Sequence, residues 1–226
     1  MTRRSTFSEL VWPDGDDGDL AINWAAENSS RILNWTWQGF ENLFRKHVPK
    51  VDFSKPLEQL ERDLVRHHFV EIQLIFAQET DGFASIVPQH EWPELESTHS
   101  PKAKPPSYDL AFIATANQRW AWPIEAKVLK TPGALAEYLK DVNEKFVAGV
   151  ASPLVGEGVM IAYLLESDSA PTFFQNLESK LGQTLTAVSG FEGKAHRASQ
   201  HPRETAPSLR LHHLALVCVS EDQNNQ

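Results

Sequence analysis

Asp109, Glu125 and Lys127 are the residues of this chain best suited to act together chemically. Asp109 closes the run Pro105-Pro106-Ser107-Tyr108-Asp109. After fifteen intervening residues comes Glu125-Ala126-Lys127. Two neighbouring carboxylates can hold a hard divalent cation such as Mg²⁺, which takes oxygen ligands and keeps several waters. Such an ion activates water and neutralises charge on a scissile phosphate. A lysine beside it can position the water or offset charge on the phosphorane. Together these are the requirements of phosphodiester hydrolysis. The bland alternative for Glu125 and Lys127 is an exposed ion pair on a half-solvated sheet.

The trio depends on strands. Residues 108–113 (YDLAFI) and 121–129 (AWPIEAKVL) both read as strands, joined by a connection longer than a tight turn. Side chains alternate faces along a strand. Tyr108, Leu110 and Phe112 therefore share one face, and Asp109 takes the other. Glu125 and Lys127 lie together, opposite in sense to Ile124, Ala126 and Val128. Antiparallel pairing brings Asp109, Glu125 and Lys127 onto one face.

The flanking elements follow from pattern. Residues 19–48 read as one or two helices carrying Trp24, Leu33, Trp35, Trp37, Phe40 and Phe44, with Asp19 as the expected cap. Four bulky residues fall within 35–44, more than one helix face needs. The segment is thus either a packing layer or a docking surface, since Trp is enriched at interface hot spots. Ser54-Lys55-Pro56 opens a second helix to about Gln78, with Ser54 as cap and an apolar stripe of Leu57, Leu60, Leu64, Phe69, Leu74 and Ile75. A strand is expected over 83–87 and a loop over 93–106. Thr131-Pro132 starts a helix whose Leu135, Leu139, Val142 and Phe146 share one face, with Gly149 as its C-terminal cap. Residues 158–165 are continuously apolar, as in a strand buried on both faces. A helix is expected over 173–181, a polar loop over 189–208 and a last strand over 209–219. This order predicts an α/β fold, a mixed central β-sheet flanked by helices. The expected organisation is an N-terminal arm and helical extension over 1–53, followed by a domain over 54–226.

Asp109 with Glu125-x-Lys127 resembles the PD-(D/E)xK nuclease superfamily, the restriction-endonuclease-like fold with an αβββαβ core. The family's Pro-Asp is loosened here to Pro106-Ser107-Tyr108-Asp109. The likeness extends through Tyr138-Leu139-Lys140-Asp141, Phe146-Val147-Ala148-Gly149 and Met160-Ile161-Ala162-Tyr163-Leu164. It also takes in His201-Pro202-Arg203 ahead of Leu211-His212-His213-Leu214. It covers about 56–219. The resemblance implies that Asp109 and Glu125 are ligands of Mg²⁺ or Mn²⁺, that Ala126 adds its backbone carbonyl, and that Lys127 is the catalytic lysine. It further implies an acid from the first core helix, with Glu61 ranked ahead of Glu71 and Glu58 also considered. The substrate it implies is nucleic acid, with DNA favoured, in a setting of bacterial restriction or anti-phage defence. The alternative is a non-catalytic subunit of the same fold that docks a partner, or a second copy, through the Trp-rich helices.

Composition narrows the field. The chain has 226 residues, 41% hydrophobic and 23% charged, with 21 basic and 30 acidic residues and a net charge of −9. These are ordinary globular values, long enough for one cored domain with an extension. An acidic protein cannot hold nucleic acid by its average field. Contacts must come from a local patch, and His201, Arg203 and Arg197, among Lys194 and Arg210, form the densest basic run. Arg203 is the expected phosphate contact. One cysteine, Cys218, excludes an intrachain disulfide or a CxxC site and fits a reducing compartment. The apolar runs 159–165 and 214–219 are far short of a membrane span, so a cytoplasmic location without membrane contact is expected. The acidic run 13–19 has its Gly and Asp in the wrong order for a calcium loop. The nine histidines lack zinc spacing, and His212 and His213 must face opposite ways on a strand. Nucleophile-elbow, Walker and dinucleotide fingerprints are absent.

Overall fold

Two long helices precede the sheet and share one hydrophobic layer with it. The computed structural model describes residues 16–79, 85–95, 106–130, 134–165, 169–204 and 206–219. Helix α1 spans Asp16–Lys46 as one continuous element, so Asp19 lies inside it and does not cap it. A short 3₁₀ turn, Val48–Lys50, leads to α2, Leu57–Glu79. Ser54 bonds Asp52 rather than the helix, through both its N–H and its hydroxyl. Where α1 and α2 cross, a Cβ on Gly39 would stand 2.6 Å from Ile72, so only glycine permits this approach.

The sheet has seven strands in the order β1-β2-β3-β4-β7-β6-β5. These are β1 Ile86–Pro93, β2 Ser107–Ala114, β3 Ala121–Leu129, β4 Glu157–Leu164, β5 Thr186–Ala187, β6 His196–His201 and β7 Leu209–Val217. Strands β1 to β3 form an antiparallel meander, and β4 and β7 then run parallel to β3. Helix α3, Ala134–Asp141, makes the crossover from β3 to β4, and α4, Ser169–Leu181, follows β4. The central strands are buried on both faces. One core layer joins the sheet to α1 and α2 and the other joins it to α3 and α4.

Several expectations shift. Strand β1, Ile86–Pro93, reaches the first residue of the stretch read as loop, and residues 83 and 84 of the expected strand lie outside the described residues. On α2, Leu57 and Leu74 are exposed, while His68 and Glu71 are buried. The polar segment read as loop over 189–208 contains β6, paired to β7 from His196↔Leu214 to His201↔Leu209. The N-terminal extension is not a separate appendage. Ile32, Trp35 and Leu43 of α1 are fully or almost fully buried in the main core, and Trp35 stacks on Phe112 of β2 with centroids 5.9 Å apart. Trp37 is also buried, and Trp24 packs on Trp120. Trp35 and Trp37 therefore serve packing, while Trp24 is half-buried. Thr131, Pro132 and residues 13–15 of the acidic run lie outside the described residues, and the rest of that run is helical. Among the described residues, no helix is long and apolar enough to cross a membrane.

Candidate active site

The candidate site forms where β2 and β3 stop pairing. Their register runs from Ile113↔Ala121 to Leu110↔Ile124. Continued by one step, it sets Asp109 opposite Glu125 on the α3 face. Beyond that point the β2-facing edge of β3 has no strand beside it, and buried backbone donors must find other partners. The N–H groups of Ala126 and Val128, two residues apart and so on one edge, are taken by side chains. Ala126 donates to Asp109 Oδ2 at 2.8 Å, and Val128 donates to Glu61 Oε2 at 3.1 Å. In a strand the N–H and C=O of one residue project to the same edge. The Ala126 carbonyl therefore faces the same opening.

Glu61 comes from α2, the helix on the opposite layer, and reaches the end of β3. Its Oε1 lies 3.1 Å from Lys127 Nζ. Asp141, the last residue of α3, lies on the other side of that ammonium, with Oδ2 at 3.3 Å. After Asp141 the helix widens into a π-helical turn, Val142–Val147, closed by Ala148 N–H donating to Asn143 O at 3.0 Å. Such turns insert one residue into the ladder and recur at functional sites. Here the turn presents Lys145, whose Nζ sits 2.6 Å from Glu125 Oε2 and 3.2 Å from Asp141 Oδ2. Gly149 ends the segment at φ 74, as expected of a C-terminal cap. Gly158 of β4 lets it sit close, since a Cβ there would meet Phe146 at 2.5 Å.

The electrostatics are those of a crowded acidic pocket with internal cations. Burial, and next the charge of Asp109, push the Glu125 carboxyl up to about 8, with Lys145 opposing the shift. Burial also raises Glu61 against the pull of Lys127. For Lys127, burial favours loss of the proton, but Glu61, Asp141 and Asp109 outweigh it and hold the ammonium charged well above its usual range. Lys145 is likewise raised by Glu125 and Asp141 against burial. Four carboxylates face two ammonium groups, so the fully ionised centre is short of two positive charges. Glu125 Oε1 is buried without a hydrogen-bond partner.

These features fit one divalent ion held by Asp109, Glu125 and the Ala126 carbonyl, with water completing its shell. Among the described residues, no three Asp, Glu, His or Cys side chains converge as an all-protein metal cage.

The structure brings Asp109, Glu125, Ala126, Lys127 and Glu61 together. Glu71 lies elsewhere, bound to Lys46 at 2.6 Å and His47 at 2.9 Å, and Glu58 is exposed. Asp141 and Lys145 were missed by sequence reasoning. They stand four apart and flank the buried positions Val142 and Phe146, a polar pair at the edge of an apolar stripe.

The basic run has internal duties. The Arg203 Nε donates to Pro207 O at 2.6 Å, Nη1 to Phe146 O and Ala151 O, and Nη2 to Ser152 O at 3.0 Å. All three nitrogens are spent on carbonyls, so Arg203 braces the turn after the π segment instead of facing a phosphate. His201 is buried against Ser199, and Arg197 bonds His196 O and covers Phe174. Lys194 pairs with Glu41.

No family model matches the chain, and no curated protein or solved structure is significantly similar to it.

Proposed function

We propose that this chain is a metal-dependent nuclease of the PD-(D/E)xK type, hydrolysing phosphodiester bonds with DNA as the favoured substrate. One observation carries the reading. Buried Glu125, with an unpartnered oxygen, stands beside Asp109 at the gap between β2 and β3, while Lys127 is held between Glu61 and Asp141. The element order α2-β1-β2-β3-α3-β4 follows the αβββαβ core of that fold and supports the reading independently of the site.

Asp109, Glu125 and the Ala126 carbonyl would hold Mg²⁺ or Mn²⁺, which when bound supplies an activated water and neutralises phosphate charge. The protein's own groups do the rest. Asp109 is fixed by the Ala126 N–H, so one of its oxygens is oriented before any ligand arrives. Lys127 stays protonated, because three carboxylates hold its charge. It therefore acts as a hydrogen-bond donor and fixed positive charge toward the developing phosphorane, not as a base. Glu61 anchors the ammonium from one side and Asp141 from the other, so Lys127 is held in place before any substrate arrives.

The deciding experiment is cleavage of plasmid DNA, single-stranded DNA and RNA with Mg²⁺, Mn²⁺ or EDTA. Wild type should cut only with metal, and Glu125→Ala and Lys127→Ala should not cut. Metal binding with no cleavage of any of the three would reject catalysis and leave a nuclease-fold subunit.

A further inference from the structure

Lys145 sits at the heart of this centre, yet it belongs to no part of the trio. Its ammonium touches Glu125 Oε2 at 2.6 Å and Asp141 Oδ2 at 3.2 Å. Lys127 is arranged differently, bridging Glu61 and Asp141. Thus the acid read here as a metal ligand already has a cation on one oxygen, while its other oxygen is bare. Lys145 is about one-third exposed, at 32%, and its four-carbon stem can swing outward. Asp141 remains within reach of it when Glu125 is given up.

Resting on the reading of Asp109 and Glu125 as ligands, we propose that Lys145 is a displaceable internal cation: its ammonium occupies Glu125 in the resting site, and a divalent ion must evict it to bind. An ion seated on either oxygen of Glu125 stands close to the Lys145 ammonium, so the two cations repel and holding both weakens metal binding. The π-helical turn gives the device its position, since it carries Lys145 toward Glu125, and Asp141, just ahead of the turn, stands within reach of the same ammonium. The consequence is a site that rests partly neutralised and turns on only above a threshold of metal. The competition sets that threshold.

The test is calorimetric titration of the full chain with Mg²⁺ at pH 8.5. Lys145→Met should bind Mg²⁺ about tenfold more tightly than wild type or better, the scale of one charged hydrogen bond. Lys140→Met is the control for net charge, because Lys140 lies on the same helix, is 54% exposed and pairs only loosely with Glu137 at 3.9 Å. It should change affinity little. Unchanged or weaker binding by Lys145→Met overturns the proposal. If circular dichroism shows Lys145→Met unfolded, Lys145→Gln takes its place with the same expectation. A second measurement uses the unaltered protein. Acetylation of Lys145 by an N-hydroxysuccinimide ester, followed by mass spectrometry, should speed up severalfold on adding Mg²⁺, with Lys140 unchanged. An unchanged Lys145 rate overturns eviction. Neither readout needs cleavage. Tighter binding without Lys145 in a protein that cuts nothing would keep this role and reject the nuclease reading. No Mg²⁺ binding by wild type or either variant would overturn both.

Discussion

Glu125, Met160 and His213 stand in one row across β3, β4 and β7, and the two ends of that row are opposite kinds of buried polar cluster. At the Glu125 end, carboxylates outnumber ammonium groups and one buried oxygen has no partner. At the His213 end every group is neutral and both ring nitrogens are used. Tyr138 Oη lies 3.2 Å from Met160 O and 2.8 Å from His213 Nδ1. His213 Nε2 bonds Ser199 Oγ at 2.8 Å, and Ser199 Oγ bonds His201 Nε2 at 2.7 Å. The hydrogen-bonded chain is continuous. His68, on the other face, is equally closed between Tyr163 and Thr36 O, each at 2.8 Å. Burial holds His213 down to about 3 and His68 down to about 4, so both are neutral at ordinary pH. A satisfied neutral network specifies packing. A buried cluster with unbalanced charge and shifted groups is a candidate functional site.

The sharpest break in this comparison should come from Glu125→Gln. It should lower metal-dependent cleavage by about 10³-fold or more, as expected when a metal ligand is lost. In EDTA it should melt no earlier than wild type, because it relieves a buried acid that is raised by burial and by Asp109. A large drop in melting temperature in EDTA would turn the acidic end into a structural ion pair.

His213→Phe should do the reverse. It strands Tyr138 and Ser199 in the core and should cost about 2–4 kcal/mol in urea unfolding. Cleavage by the fraction still folded should stay near wild type. A selective loss of cleavage would couple the two ends through Met160.

Arg203→Ala tests the basic run. It removes bonds to the carbonyls of Phe146, Ala151, Ser152 and Pro207 and should cost about 1–3 kcal/mol. The salt dependence of nucleic-acid binding should not change. A slope lower by about one unit would restore a phosphate contact.

The smallest effect is the slope of stability with pH, at most about 1.4 kcal/mol per pH unit for each proton. Glu125 is raised in the folded protein, so its contribution is full below about pH 4.5 and is lost as pH rises toward about 8. His213 and His68 are lowered, so theirs is present above about pH 6.5 and is lost as pH falls toward about 3–4. The two ends therefore oppose each other. Glu125→Gln in EDTA should flatten the alkaline limb of unfolding free energy and leave the acid limb intact. An unchanged alkaline limb would mean that Glu125 is ionised in the metal-free protein.

Much of this frame was legible in the chain. The strand read at 121–129 is β3 residue for residue, because its alternation and apolar content are local properties. Period-two alternation also placed Glu125 and Lys127 on one face and turned His212 and His213 apart. His212 meets His196 while His213 meets Tyr138. Strand β6 was not legible. Its HRASQH sequence buries His196, Ser199 and His201 in hydrogen bonds, so no hydrophobic period announces it. Arg203 was misread for a related reason: basic density marks a surface only while its donors face water, and here they face carbonyls.

The sequence by itself determined the central strands β2, β3, β4 and β7, the approximate helix positions and which acids share a face, since those follow from side-chain period within a few residues. Only the tertiary structure decided which charges meet. Glu61 reaches Lys127 across 66 positions, and Lys145 reaches Glu125 across 20 through a π-helical turn. Those contacts depend on where β2 parts from β3 and on how a widened helix turn rests on Gly158. Packing across layers sets both, and no local period encodes them.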